Sequence, residues 1–174
     1  MTSPLRLIFP DAAYRDSVLE GLREFAAEPR FAALDLAPIA ADFPAYVAAQ
    51  RARADAPNLP PGQISEVVYW LMDGETYIGR LSIRTTRDEA LIRTIGNIGY
   101  MIRPSRRRLG YGTAILGLAL PEAQALGLTR VLVTCDEENL ASRTIIERHG
   151  GVLEGTTPSR NAPGMTLRFW IEIG

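Results

Sequence analysis

Apolar residues recur at helical spacing near the start of the chain and at alternating spacing further on. A short apolar run at 5–9 predicts a first strand. After it, Val18, Leu22 and Phe25 fall on one face of a helix. Asp11 stands before this periodic segment, where a side-chain oxygen can cap the first turn. The opening of the chain therefore predicts a strand followed by an amphipathic helix.

The spacing changes to that of strands after a second helical patch, "FPAYVAAQRARA", and the turn-rich "PNLPPG" at 57–62. The next segment, "EVVYWLMDGETYIGRLSIR", holds two β-rich runs around Asp73 and Gly74, which is the signal of a hairpin. "NIGYMIR" at 97–103 predicts a further strand that Pro104 ends. We interpret "TTRDEALIRTIGN", just before it, as a loop between strands.

Helix and strand alternate in the rest of the chain. The pattern predicts a helix from about Thr113 to Leu126, a strand at 130–135, a short helix begun by Asn139 or Ser142 and stopped by Gly150 and Gly151, and a strand at 166–173. This order predicts an α/β (α+β) fold with a mixed, mostly antiparallel central sheet flanked by helices. At 174 residues, with no internal repeat or low-complexity linker, we expect one domain over 1–174.

The composition is that of an ordinary globular protein. Its 19 basic and 20 acidic residues give a formal charge of −1, so nothing favours nucleic acid as the main partner. Cys135 is the single cysteine, which excludes an internal disulfide and is typical of a reducing compartment. No signal peptide is visible, and no run approaches the roughly 18 apolar residues of a membrane span. We therefore expect a soluble, cytoplasmic protein that binds neither membranes nor nucleic acid.

The stretch "RRRLGYGTAI" at 106–115 combines arginines, glycines and the start of an apolar helix, which suits a phosphate group. A Walker loop is excluded because no lysine follows Gly110 or Gly112. A dinucleotide fingerprint is excluded because Ile115 stands where the third small residue belongs. Backbone N–H groups at a helix start still predict an anion site, because the glycines leave no Cβ between backbone and phosphate.

Together with its surroundings, this loop resembles the acyl-CoA-binding motif of the GNAT superfamily of N-acyltransferases. Arg107, Gly110 and Gly112 fill the pattern Arg/Gln-x-x-Gly-x-Gly/Ala, and Asn139 fills the Asn-x-x-Ser/Ala position downstream. The similarity covers roughly residues 64–155 well. It implies a single GNAT-like domain, acetyl-CoA as co-substrate and transfer of its acetyl group to a primary amine by direct attack in a ternary complex.

The resemblance also assigns the cofactor contacts. In the family, the strand before the loop separates from its neighbour, so that its backbone binds pantetheine and a backbone N–H binds the thioester carbonyl. The residues that correspond to the family's acyl-CoA contacts are Tyr100, Met101, Ile102, Arg107, Arg108, Leu109, Gly110, Tyr111, Gly112, Thr113, Asn139 and Ser142. We expect Asn139 to reach the pantetheine arm, to cap a helix, or both.

The catalytic groups are less clear. Family members usually have, seven residues after the asparagine, a tyrosine that gives a proton to the leaving thiolate. This chain has Ile146 at that position. Many relatives place a carboxylate near the start of the strand before the loop, where this chain has Gly96 and Asn97. The weak candidates for catalytic residues are Tyr100 as a proton relay, Ser142 and Asn97. Glu66 and Asp136 are further possibilities as bases acting through water.

Other residues are expected to have structural roles. Cys135, Asp136 and His149 are residue types found at nucleophilic sites, but here they lie at scattered positions. Cys135 ends an apolar strand, which favours a role in packing. No cluster of histidines and cysteines predicts a metal site.

Two function classes follow, an acetyl-CoA-dependent N-acetyltransferase acting on a small or peptide amine and a non-catalytic acyl-CoA-binding sensor or interaction domain. Glu89, Asp88 and Asp42 are the acids that could attract a cationic amine. Dimers are common in the family, so a homodimer is compatible with the resemblance.

Overall fold

The strands and helices of the protein alternate along the chain without internal repetition. The computed structural model describes residues 4–55, 64–86, 89–159 and 163–174. The strands are β1 (Leu5–Ile8), β2 (Val67–Asp73), β3 (Thr76–Ile83), β4 (Ile98–Ile102), β5 (Arg130–Asp136), β6 (Val152–Pro158) and β7 (Met165–Glu172). The α-helices are α1 (Arg15–Ala26), α2 (Leu36–Ala41), α3 (Phe43–Ala52), α4 (Glu89–Ile95), α5 (Tyr111–Ala125) and α6 (Leu140–Arg148).

The seven strands form one sheet in the order β1-β2-β3-β4-β5-β7-β6. All neighbouring strands are antiparallel except β4 and β5, which run parallel and pair only at Ile98 and Val133. The mixed, mostly antiparallel sheet expected from the sequence is thus confirmed. The short β4–β5 contact matters for function, because the two strands separate beyond it.

Both faces of the sheet are buried, and β2 shows this in successive residues. Tyr69 and Leu71 face a core shared with α5 and α6, whereas Trp70 and Met72 face a core shared with α1 and α3. Alternate residues of a strand point to opposite faces, so a strand covered on both sides reads as a continuous apolar run. Within the described residues, no helix is both long enough and apolar enough to span a bilayer.

Several expected elements are present at the expected positions. The hairpin turns at Gly74, whose φ is 59°, and Asp11 caps a 3-10 turn at Ala12–Tyr14 that leads into α1. Asn139, not Ser142, caps α6. Helix α5 continues through Pro121 without interruption.

Three elements differ from the expectation. The segment at 85–97, expected to be a loop, contains α4, whose Ile92 is buried and whose carboxyl end meets Gly96 at a φ of 73°. Helix α2 is a six-residue helix that Asp35 caps, and β6 is a largely exposed strand at the sheet edge. Each is short or poor in buried side chains, so its apolar pattern was too weak to recognise. The expected turn at 57–62 lies outside the described residues.

Candidate active site

The parallel strands β4 and β5 open a cleft in the middle of the sheet. Beyond the pair Ile98–Val133 no further β4–β5 ladder pair forms in the described chain. Asn97 lies at the closed end of this opening, where its Nδ2 donates to the Arg84 carbonyl at 3.0 Å and its Oδ1 accepts the Leu132 N–H at 2.8 Å. Asn97, one of the catalytic candidates, is therefore occupied with joining the strands.

The hydrogen bonds between β3 and β4 decide which backbone groups face the cleft. The Arg103 N–H donates to the Ile78 carbonyl at 2.8 Å, so alternate residues of β4 direct their N–H and C=O groups to β3. Met101 belongs to that set. Tyr100 and Ile102 lie between these positions and direct their backbone N–H groups to the other side, into the opening.

A cavity of about 630 Å³ occupies the opening. Its walls come from α4, β4, β5, α6 and the β6–β7 pair, and they include Tyr100, Cys135, Asp136, Asn139, Ser142 and Thr166. The structure thus brings together three residues expected at the cofactor site, Tyr100, Asn139 and Ser142. Asn139 also performs its capping role, because its Oδ1 accepts the Ser142 N–H at 3.0 Å.

The Tyr100 hydroxyl is a buried polar group of this cavity that has no hydrogen-bond partner within the described residues. Burial raises the pKa of Tyr100, and the neighbouring Ser142 side chain offsets this only in part. The phenol therefore keeps its proton at neutral pH. A buried O–H without a partner is costly, so the group is poised to donate to a molecule that enters the cavity.

Cys135 is not an activated nucleophile, and Ile146 cannot act as an acid. Burial raises the pKa of the Cys135 thiol to about 11, so it carries no thiolate at neutral pH. Ile146, at the position of the family's acidic tyrosine, is fully buried in the core between α5, α6 and the sheet. No group of three or more potential metal ligands occurs among the described residues.

The loop before α5 presents a row of backbone N–H groups. Gly110 precedes the helix with a φ of 85°, and Arg108 also has a positive φ of 62°. The N–H groups of residues 108–113 form no hydrogen bond within the described residues, and the first helical bond of α5 joins the Ala114 N–H to the Gly110 carbonyl at 3.0 Å. Such a row at a helix start binds anions well.

Unlike the residues that follow it in the loop, Arg107 uses its backbone N–H and its side chain in hydrogen bonds within the protein. Its N–H donates to the Pro104 carbonyl at 3.3 Å, and its Nε donates to the Ile102 carbonyl at 3.1 Å. Its two terminal nitrogens bind the Glu28 carboxylate, and this pairing lowers the pKa of Glu28. Arg107 therefore holds the loop against β4 and the segment after α1, while the N–H row begins one residue later.

A second cavity, of about 560 Å³, lies on the opposite face of the sheet between α1, α3 and β3. Its apolar wall contains Leu22, Phe25, Phe31 and Leu34, and its polar floor contains Glu66 and the arginines Arg53, Arg80 and Arg84. We call these three arginines the arginine cluster. Arg84 lines both cavities, so the two spaces meet at its side chain.

Glu66 lies at the centre of the arginine cluster and is 3% exposed. Its Oε1 is 2.6 Å from Arg53 Nη2 and 2.7 Å from Arg80 Nη2, and its Oε2 is 3.2 Å from Arg84 Nη2. Burial alone would raise the pKa of Glu66, but the three guanidinium groups outweigh it and the pKa is lowered. Glu66 is thus a fixed anion and a poor base.

The acids expected to attract an amine lie elsewhere. Asp42 caps α3 through a 2.9 Å bond from the Ala45 N–H. Glu89 begins α4 and lines a separate cavity near Trp170. Asp88 is outside the described residues. The sequence reasoning missed the arginine cluster, although Arg80, Ser82 and Arg84 at every second position marked one polar face of an otherwise buried strand.

Comparison with known proteins agrees with this geometry. Residues 7–152 match the model of the Acetyltransferase (GNAT) domain family. Among curated protein sequences, none matches this chain significantly.

Similar folds occur in solved structures. A GNAT-family acetyltransferase from Streptococcus pneumoniae is 20% identical, with a TM-score of 0.66 over 98% of this chain and 100% of that one. RimL, a ribosomal alpha-N-protein acetyltransferase in complex with coenzyme A, is 15% identical, with a TM-score of 0.72 over 99% and 98%. The microcin self-immunity acetyltransferase MccE, in complex with acetyl-CoA and AMP, is 15% identical, with a TM-score of 0.68 over 97% and 92%.

Proposed function

Because the chain belongs to the GNAT acetyltransferase family, we propose that it transfers the acetyl group of acetyl-CoA to a primary amine. The observation that carries the proposal is the row of N–H groups at 108–113, which follows β4 along the chain, together with the edge of β4 that has no ladder pair with β5 beyond Ile98 among the described residues. Coenzyme A combines a pyrophosphate, which needs several donors at once, with an extended amide-containing arm. The loop and the open strand edge supply partners for both parts in the right order.

In this proposal the N–H groups of 108–113 and the amino end of α5 bind the pyrophosphate. The pantetheine arm lies along β4 and reaches Asn139 across the cleft. The thioester carbonyl accepts the backbone N–H of Tyr100 or Ile102, where negative charge grows as the amine attacks. A fixed backbone donor stabilises that charge without reorganising during the reaction.

The transfer forms a bond between the amine nitrogen and the carbonyl carbon and breaks the bond between that carbon and sulfur. The leaving thiolate needs a proton, and we assign this proton to the Tyr100 hydroxyl. Three observations support the assignment: Tyr100 lines the cleft, its buried hydroxyl has no hydrogen-bond partner in the described chain, and its pKa is raised, which keeps the proton on the phenol. Ile146 has no proton to give.

The amine must lose its proton before it attacks, and among the described residues that line the cavities no carboxylate without a partner lies next to Tyr100. Asp136 accepts hydrogen bonds from the hydroxyls of Ser159 and Thr166 at 3.0 and 3.3 Å, and Glu66 is bound by the arginine cluster. An α-amine suits such a site, because its pKa of about 8 leaves a useful neutral fraction near neutral pH. Water can then accept the proton.

Release of free coenzyme A in the presence of acetyl-CoA and a panel of primary amines tests the proposal. We expect saturable release that depends on the amine, together with a product heavier by one acetyl group in a mass spectrum. A reaction without amine corrects for hydrolysis. Tight binding of acetyl-CoA with no amine-dependent release would contradict the proposal and favour a non-catalytic acyl-CoA-binding domain.

A further inference from the structure

The two cavities are adjacent, because Arg84 and Ile95 line both, and we treat them as one path across the sheet. A third, smaller cavity lies between them, lined by Phe31, Arg80, Ser82, Arg84 and Tyr100. The guanidinium of Arg84 stands over the Cα of Gly99, because a Cβ built on Gly99 would come within 3.3 Å of Arg84 Nη1. A molecule held between α1 and α3 therefore reaches the part of β4 that the proposed function gives to the thioester.

The floor of this path carries an excess of positive charge. Glu66 is the only acidic residue among the described residues that line the cavity between α1 and α3, and it faces three arginines. The Arg80 and Arg84 side chains are only 19% and 17% exposed. Burial lowers the pKa of Arg84; Glu66 opposes this, whereas Arg80 and Arg53 add to it. One carboxylate thus leaves about two positive charges uncompensated in a partly dry site.

The donors of the arginine cluster are not used up by Glu66. Arg80 reaches Glu66 through Nη2, and its Nε and Nη1 form no hydrogen bond within the described part of the chain. A guanidinium presents five N–H donors in a planar fork that matches a carboxylate or a phosphate. The apolar wall of Leu22, Phe25 and Phe31 lowers the local polarity, which strengthens such an ion pair.

From this we infer that the amine acceptor also carries an anionic group, a carboxylate or a phosphate, which the arginine cluster binds while the amine points along the path to the thioester. The inference rests on the proposed function and names the acceptor's chemical class. It also reverses the expectation of a site that attracts cations. An ion-pair network that only braces α3 against β2 and β3 would need no such ligand, so the two roles differ in what the protein binds.

Calorimetric titration of the protein saturated with coenzyme A separates these roles, since the product cofactor prevents turnover and fills the phosphate-binding loop. The probes form matched pairs, β-alanine against propylamine and O-phosphoethanolamine against ethanolamine. We expect at least one member with the anionic group to bind tenfold or more tightly than its partner without that group, and the pair that responds identifies the anion. Equal or weaker binding of both anionic members would overturn the inference.

Variants that remove one charge test whether the arginine cluster causes the preference for anionic amines. Arg80→Gln and Arg84→Gln should each abolish most of the preference, and Arg80→Lys should restore part of it because the charge returns without the fork. Arg148→Gln, which removes an exposed charge from the last turn of α6, serves as the matched control and should keep the preference. A preference that survives in both Arg80→Gln and Arg84→Gln would refute the assignment to the cluster.

The same titrations keep the inference separate from the function on which it rests. Failure of the wild-type protein to bind coenzyme A would contradict the proposed function itself. Tight coenzyme A binding with no preference for anionic amines would overturn only the inference. Coenzyme A affinity also reports on folding in each variant, and the wild-type comparison of matched probes stands even where a variant fails to fold.

Discussion

In the proposed mechanism, Tyr100 takes the role that the family usually gives to a tyrosine at the position of Ile146. The position that normally holds the acidic tyrosine is Ile146, which packs in the core, while Tyr100 on β4 lines the cleft and has a buried hydroxyl without a hydrogen-bond partner in the described chain. The loss of the acid could be predicted from the sequence, because it depends only on spacing from Asn139. Tyr100 was already a candidate proton relay in the sequence, but its burial and the lack of a hydrogen-bond partner depend on the fold and could not be predicted.

Tyr100→Phe should lower kcat about a hundredfold while leaving the Kd for acetyl-CoA unchanged, since it removes a proton donor but keeps the ring and the backbone N–H. Steady-state rates and calorimetry on the variant check this. Ser142→Ala, in the same cavity, is the matched control and should lose less than tenfold. A loss below threefold in Tyr100→Phe would show that the thiolate takes its proton elsewhere.

The buried Glu66 carboxylate is expected to make the stability of the fold depend on pH. Its pKa in the folded protein lies below that of a free glutamate, so its contribution to stability is complete above the free pKa of about 4.3 and disappears as the pH falls through the folded-state pKa. Glu66→Gln should therefore lower the unfolding free energy at pH 7 by about 3 kcal/mol, at the lower end for buried pairs because the arginines are partly hydrated. The difference from wild type should shrink towards pH 3.

Urea unfolding of both proteins at several pH values measures this difference. Glu147→Gln removes a carboxylate that is 46% exposed and paired with Arg143, and it should cost less than about 0.5 kcal/mol at any pH. A Glu66→Gln penalty that stays constant down to pH 3 would mean that the carboxylate's charge is not what stabilises the fold.

At the scale of elements, the loop before α5 was the most predictable part of the molecule. Its two glycines, the preceding strand and Pro104 specify a helix start with exposed N–H groups, and Gly110 indeed has a left-handed backbone. Helices α2 and α4 and strand β6 were not predicted from the sequence, because they are short or largely exposed. Their formation depends on caps and neighbours, such as Asp35 for α2, more than on a periodic apolar face.

Gly110→Val should weaken acetyl-CoA binding by at least a hundredfold, because a β-branched residue strains a φ of 85° and distorts the N–H row. Gly127→Val is the control at the other end of α5. Gly127 has a φ of 87°, and neither glycine has an atom within 4 Å of a built Cβ, so both variants carry similar strain. Calorimetry should find normal affinity in Gly127→Val. Equal affinities in the two variants would contradict a phosphate role for this loop.

At the scale of the whole molecule, the cofactor side and the acceptor side differ in how they are encoded. The cofactor side follows from nearly contiguous residues between 97 and 142, which a single sequence displays. The acceptor side joins the end of α3, the residue before β2 and the face of β3, through Arg53, Glu66 and Arg80. Spacing marks Arg80 and Arg84 as one polar face of a strand, but only the folded sheet shows that they share one carboxylate with Arg53.

The crystal structure of the acetyl-CoA complex tests the central claim most directly. The account predicts pyrophosphate oxygens at about 3 Å from the N–H groups of residues 108–113. It also predicts the thioester carbonyl at the N–H of Tyr100 or Ile102, with the sulfur within reach of the Tyr100 hydroxyl. Acetyl-CoA bound outside the β4–β5 cleft, or no density at saturating concentration, would contradict the account.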